Sequence, residues 1–208
     1  MKLYTCEPAP NPDRLKMFMQ YKGITLDTEQ VDLASQQQRG DDYLAVVPEG
    51  TVPVLVLDDG SRLTEVIAIV HYLEQLYPER PLLGETPTEK AMVLNWNHRL
   101  FNTIFMAIAE AFRNGHPAYK DRALPGPKNY AQIAELAARG KARLDDSLDA
   151  MNAVLAERDW VAGNRFSFAD IDLMVAVSFA KWGARTEIGD HRQALQAWLQ
   201  RAKAELAS

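Results

Sequence analysis

The sequence predicts an α/β unit of about eighty residues followed by an all-helical unit. Three observations carry that prediction. Strand-like and helix-like segments alternate as far as Tyr77, only helical periodicity is found beyond it, and a proline-bearing stretch from Pro78 to Pro87 separates the two parts. The expected boundaries are residues 1–79 for the first domain, 80–87 for a linker and 88–208 for the helical domain.

Taken in order, Lys2 to Thr5 is a short strand. Pro8, Pro10 and Pro12 make an irregular turn, and Pro12 suits the first turn of a helix that runs to Lys22 and stops at Gly23. Thr25 to Leu33 reads as a second strand. Gln36 to Val47 is polar and weakly periodic, which fits a short helix with a loop. Val52 to Leu57 and Arg62 to Thr64 flank Asp58-Asp59-Gly60-Ser61, and Asp-Gly between apolar runs is a strong hairpin signal. Glu65 to Tyr77 then places Ile69, Leu73 and Leu76 on one helical face. Strand, helix, strand, helix, hairpin, helix is the order of a thioredoxin-like domain.

Three prolines discourage continuous helix through the linker. Thr88 to Asn114 reads as one long amphipathic helix ended by Gly115 and Pro117, and Lys128 to Arg158, Ser167 to Lys181 and His191 to Leu206 supply three more. Ser167 and Asp170 have the spacing for reciprocal capping.

Composition narrows the function classes. A chain that is 47% hydrophobic and 25% charged is globular material, and its net charge of -5 comes from interspersed acids and bases rather than a basic stripe. Nucleic acid is therefore not an expected partner. The single cysteine, Cys6, excludes an internal disulfide framework and a Cys-rich zinc site, and no metal is expected. The N-terminus reaches polar and proline residues too soon for a signal peptide, and no stretch approaches the roughly twenty apolar residues of a membrane span, so the cytoplasm is the expected address.

Three motifs carry a family resemblance: Tyr4 through Asn11 leading into Lys22-Gly23-Ile24, then Pro48-Glu49-Gly50-Thr51-Val52-Pro53-Val54-Leu55, then Leu63-Thr64-Glu65 followed by Ala68-Ile69, Tyr72-Leu73-Glu74, Tyr77-Pro78 and Leu82-Leu83-Gly84. Their order and the two-part layout resemble the cytosolic glutathione transferase superfamily over essentially the whole chain, with Ser167-Phe168-Ala169-Asp170 matching the family's capping box. The resemblance implies a thioredoxin-like N-terminal domain, an all-helical C-terminal domain, glutathione as co-substrate and a two-fold homodimer in which unlike domains of the two subunits meet.

The resemblance also assigns candidate roles. Pro53 matches the family's cis-proline, which lets Val52, next to Thr51, pair its backbone with the cysteinyl part of glutathione; the same proline also serves as a turn the fold requires. Glu65 matches the acid that binds the γ-glutamyl amino group, although a helix N-terminus favours a carboxylate in any case. The family's next residue is usually serine, whose hydroxyl binds the γ-glutamyl carboxylate; here it is Val66, which leaves only the backbone N–H. Gln38 and Arg39 fall where the family holds the glycyl carboxylate, and a solvated polar loop would read the same.

The thiol-activating position is also altered. Family members place a serine around Ala9 or a cysteine around Pro10. Asn11 remains, and Pro10-Asn11 resembles a bacterial branch in which asparagine stands beside the sulfur and disulfide-bond reductase activity is prominent. Its amide can stabilise a thiolate, or Asn11 can simply cap the helix. Cys6 lies early for a catalytic cysteine and reads as a buried structural thiol, as Tyr4 reads as core.

In the helical half, Phe105, Phe112, Arg113, His116 and Tyr119 fall on or just beyond the helix that borders the family's second-substrate pocket. Phe105 and Phe112, seven apart, share a face, and Arg113 or His116 can hold an anion there or simply lie exposed. Trp96, Trp160, Trp182 and Trp198 read as packing. The functional expectation is an enzyme that uses the glutathione thiolate for conjugation to small electrophiles or for disulfide or peroxide reduction. The alternative is a ligand-binding or protein-interaction module without turnover, which Ala9 and Val66 favour.

Overall fold

The computed structural model describes residues 1–207, in two compact units: Met1–Arg80 with Leu124–Asn129, and Pro81–Ala123 with the chain from Tyr130 onward. The first unit contains β1 (Lys2–Thr5), α1 (Pro10–Lys22), β2 (Asp27–Gln30), a 3₁₀ turn (Gln37–Arg39), α2 (Asp41–Val46), β3 (Val54–Val56), β4 (Arg62–Leu63) and α3 (Val66–Leu76). The sheet order is β2-β1-β3-β4, with β1 parallel to β2 and antiparallel to β3, so Leu3 stands opposite both Thr28 and Leu55.

Leu15 and Phe18 of α1 and Ile69, Val70 and Leu73 of α3 are buried where these helices pack together. A second cluster of Val31, Tyr43, Val47 and Val54 forms around α2 and the start of β3. The hairpin forms as the Asp-Gly signal predicts: Leu57 N–H donates to Ser61 O at 2.8 Å and Gly60 takes φ of 84°.

In the first unit, two of the boundaries that differ from the sequence reading have a local cause. β2 covers only part of Thr25 to Leu33, because Asp32 turns the chain by accepting the N–H groups of Ala34 and Ser35 at 2.9 and 3.2 Å. Helix α1 starts at Pro10, not Pro12.

The second unit contains α4 (Pro87–Leu100), a π-turn (Phe101–Phe105), α5 (Met106–Gly115), a 3₁₀ turn (Pro117–Tyr119), α6 (Ala134–Ala156), α7 (Phe168–Phe179), a second π-turn (Ala180–Ala184) and α8 (Gln193–Leu206). A Thr86–Glu89 capping box opens α4. The helix expected from Thr88 to Asn114 is thus interrupted at its middle, and the inserted residue rotates the side chains of α5 by roughly 100° about the helix axis. Helix α6 begins after Lys128, because Tyr130 and Ile133 are tied back by other bonds, Ile133 N–H to Asn114 Oδ1 at 3.0 Å among them.

Helices α5 and α6 approach closely at Gly140, where an added Cβ would lie 2.5 Å from Ala107 O; only glycine fits there. The capping box at Ser167 also forms. Buried Asp170 accepts the N–H and hydroxyl of Ser167, both at 3.0 Å, Val161 N–H at 2.9 Å and Trp198 Nε1 at 2.9 Å. Among the described residues no helix is long and apolar enough to cross a membrane.

Candidate functional site

The N-terminus of α1 presents Asn11. Ala9 is the extended N-cap residue and offers no side-chain cap; Pro10 and Pro12 have no N–H to satisfy. Asn11 is therefore the second helical residue, and the reading of it as the helix cap is corrected: the helix had two prolines at which to start and took the earlier one. Buried Arg14 donates from Nη1 to Asn11 Oδ1 at 3.0 Å. A guanidinium can only donate, so this bond fixes which end of the amide is oxygen. The Nδ2 hydrogens of exposed Asn11 meet no acceptor among the described residues.

Cys6, at the end of β1, is half-buried rather than fully buried. Burial pushes its thiol above the ordinary value, with a backbone hydrogen bond from Leu33 opposing, so it is a poor source of thiolate. Tyr4 is half-buried and packs edge-on against Tyr43 of the second core cluster, with centroids 5.9 Å apart.

The Val52–Pro53 peptide is cis, as the motif implies. The β1–β3 ladder ends at Tyr4 opposite Val54, so Val52 lies just outside it. Tyr43 Oη donates to Thr51 O at 2.7 Å and fixes the approach to this turn. Glu65 is the exposed N-cap residue of α3; its backbone carbonyl accepts from Ala68 and Ile69 at 3.0 Å, while its carboxylate makes no capping bond. Val66 opens α3 with its side chain buried. Any part it plays at the surface is that of its backbone N–H.

Gln38 and Arg39 do not form the solvated polar loop that the sequence also allowed. Gln38 Oε1 is buried without a hydrogen-bond partner. Arg39 Nη2 donates to Pro127 O at 2.8 Å and to Asn129 Oδ1, and its Nη1 lies 3.5 Å from Gln36 Oε1.

In the second unit Arg113 is neither an exposed cation nor an open anion ligand. Its Nε donates to Ala123 O at 3.0 Å and its Nη2 to Arg122 O at 2.7 Å, the guanidinium lies 4.6 Å from the Tyr119 centroid, and burial lowers its pKa. His116 is exposed, but Nδ1 accepts Ala118 N–H at 3.2 Å. Phe105, in the π-turn, is buried, whereas Phe112 is half-buried at the centre of an aromatic cluster with His116, Tyr119, Phe179 and Trp182. Trp182 packs on Phe112 and Phe179 with centroids 5.4 and 4.8 Å apart while leaving 47% of its surface exposed. Trp96 and Trp198 are buried, and Trp160 stacks edge-on with Phe166.

Sequence reasoning missed Arg14 as the group that orients Asn11, although an arginine three residues along a helix faces the same side. It also missed the engagement of Arg39 by residues 127–129, for which no local signal exists.

Comparison with known proteins bears on both units. Residues 9–76 match the glutathione S-transferase N-terminal domain family and residues 102–205 the glutathione S-transferase C-terminal domain family. The chain is 28% identical over 97% of its length to Glutathione S-transferase 2 of Saccharomyces cerevisiae, covering 84% of that protein. It is 31% identical over 72% of its length to Glutathione S-transferase GstA of Escherichia coli, covering 68% of that protein. A crystal structure of a glutathione S-transferase domain-containing protein from Marinobacter aquaeolei superimposes with a TM-score of 0.89 at 31% identity, over 98% of each chain.

Proposed function

We propose, from the premise that this chain belongs to the glutathione S-transferase family, that it binds glutathione on its first unit and uses the bound thiolate for thiol transfer. The observation that carries this reading is the Asn11 amide, oriented by Arg14 and retaining donor hydrogens at the start of α1. A thiol with a pKa near 8.5 is mostly protonated at neutral pH, so a donor and a helix N-terminus beside the sulfur raise the thiolate fraction.

An amide offers stabilisation without proton transfer. That suits disulfide reduction, in which the thiolate attacks one substrate sulfur, the other leaves as a thiolate, and a second glutathione resolves the mixed disulfide to give oxidised glutathione and the second substrate thiol. We therefore place the chain nearest the Pro-Asn branch, with conjugation to small electrophiles as the accompanying activity. In this reading Val52 pairs with the cysteinyl backbone, Glu65 takes the γ-glutamyl amino group, Val66 N–H faces the γ-glutamyl carboxylate, and Gln38 and Arg39 take the glycyl end. Phe112, within its aromatic cluster, would line the site for the second substrate.

Buried Val66 and hydroxyl-free Ala9 favour a binding module without turnover as the second reading. Calorimetry with reduced and oxidised glutathione, joined to ultraviolet titration of the bound thiol, separates the two. Binding with a depressed thiol pKa supports the enzyme; binding with an ordinary pKa supports the module; no binding at millimolar glutathione removes the enzyme and leaves a module for some other partner.

The homodimer is part of the proposal. Met92, Leu94, Phe101 and Met106 expose 36–43% of their surface along α4, the first π-turn and the start of α5, which is suitable material for a subunit interface. Light scattering at micromolar concentration should give twice the 23.4 kDa of one chain, and a monomeric mass would refute it.

A further inference from the structure

Arg39 is held by residues from far along the chain. The segment Leu124–Asn129, with the sequence Leu-Pro-Gly-Pro-Lys-Asn, belongs to the first compact unit. Both hydrogens of Arg39 Nη2 are engaged there, by Pro127 O at 2.8 Å and by Asn129 Oδ1. Gly126, at φ of 99°, lies beside the turn at Gly50, where an added Cβ would be in ordinary contact with Glu49 O at 3.4 Å.

The root of this segment is closed by bonds of its own. Ala123 N–H donates to Tyr130 O at 2.9 Å, Tyr130 N–H donates to Asp121 O at 3.0 Å, and Arg113 grips the carbonyls of Arg122 and Ala123. Two prolines stiffen the tip. The whole is a strap with a fixed root and a pre-shaped end.

The end is weakly seated. At the tip Pro125, Pro127, Lys128 and Asn129 are exposed, so lifting the tip uncovers little apolar surface and gives up the two bonds to Arg39. Both acceptors in those bonds are neutral. A carboxylate binds a guanidinium through two parallel, charge-assisted bonds roughly twice as strong as neutral ones, and each fork geometry of arginine uses Nη2. Strap and carboxylate therefore compete for one nitrogen.

We propose that Leu124–Asn129 is a displaceable strap that occupies Arg39 while the site is empty and is displaced by the glycyl carboxylate of glutathione. This rests on the reading of Arg39 as part of the glutathione site. By linkage, anything that tightens the strap weakens glutathione binding by the same factor, and anything that loosens it strengthens binding.

Lys128, exposed within the strap, makes its position measurable by limited trypsin digestion. Cleavage after Lys128 should be slow in the unliganded protein and several-fold faster with saturating glutathione. Saturating glutathione glycyl ester, which lacks the competing carboxylate, should leave the rate unchanged. Asn129→Ala should raise the basal rate and tighten glutathione a few-fold, and Arg39→Gln should raise the basal rate and abolish the response to glutathione. Calorimetric binding of glutathione with unchanged or slower cleavage overturns the strap while leaving the site reading intact, as does unchanged affinity in Asn129→Ala. No calorimetric binding overturns the site reading, and the strap's ligand with it.

Discussion

Asp170 in the second unit and Asn11 in the first stand at opposite extremes of hydrogen-bond saturation. Asp170 is fully buried and accepts four donors on its two oxygens. Asn11 is exposed, is held at one end by Arg14 and keeps its amide hydrogens. A buried polar group with every partner supplied holds structure together, because each of those partners is left without a bond if it goes. An exposed group that is oriented and still has donors can meet a ligand. The same contrast sorts Arg113, which closes a backbone neck, from Glu65, whose carboxylate makes no capping bond.

The largest effect expected is from Asp170→Ala. It leaves the buried N–H groups of Val161 and Ser167 and the Trp198 indole N–H without acceptors, at about 1–3 kcal/mol each, and should cost on the order of 4 kcal/mol in urea unfolding. A loss below about 1 kcal/mol would break the comparison by showing that water or repacking serves these donors. Burial pushes the Asp170 carboxyl from 3.8 up to about 6, against the pull of its donors. Its pKa is higher folded than unfolded, so its contribution is complete below the unfolded value and is lost as pH rises through about 6. Relative to Asp170→Asn, the native chain should therefore gain stability between pH 6 and pH 4.

The fold was legible wherever the signal was local. Ser167 and Asp170 sit at fixed capping distance, Asp59-Gly60 fits only a tight turn, and the order of elements comes from apolar periodicity. Legibility failed where two local choices were equal or the partner was remote. Pro10 and Pro12 both suit a first turn, so sequence alone leaves the start of α1, and with it the role of Asn11, open to misreading. A π-turn carries no residue signature, which is why Phe101–Phe105 reads as plain helix and Phe105 as a neighbour of Phe112. Arg39 meets residues 127–129, some ninety positions away, and no spacing rule reaches that far.

Next in size is Asn11. If its amide donates to the bound sulfur, Asn11→Ala should raise the thiol pKa by about 1–2 units, the loss of one bond to a charged group, and slow thiol transfer roughly ten- to a hundredfold with little change in affinity. Asn11→Asp should be slower still, since it adds a like charge and has no donor. Ultraviolet titration and steady-state rates check both. Retained activity in the Asp variant would move Asn11 to the structural side of the comparison.

Val66 tests the middle ground. Its side chain is buried but its N–H begins a helix, so Val66→Ser should cost about 2 kcal/mol of stability through lost burial and a buried hydroxyl. Glutathione affinity by calorimetry should change less than about twofold, because the backbone donor is kept. A tenfold gain in affinity would mean that the hydroxyl reaches the γ-glutamyl carboxylate and that α3 opens toward the ligand.

The smallest effect is expected at Cys6. It lies close in sequence to Asn11, and a thiol there invites a redox role, but burial leads the causes that hold it protonated, with Asp32, Asp13 and Glu7 adding to it. A protonated thiol is a poor nucleophile, so alkylation by iodoacetamide should be slow at pH 7 and should accelerate only above the ordinary thiol range. Cys6→Ser swaps sulfur for oxygen at a half-buried strand end and should leave glutathione-dependent turnover within about twofold of the native rate. The decisive measurement is the time course. If activity falls in step with modification of Cys6 at pH 7, and the Ser variant is inactive, then the thiol is a reacting group. The division between saturated structural groups and oriented open ones would then need a third class, a nucleophile kept dormant by burial.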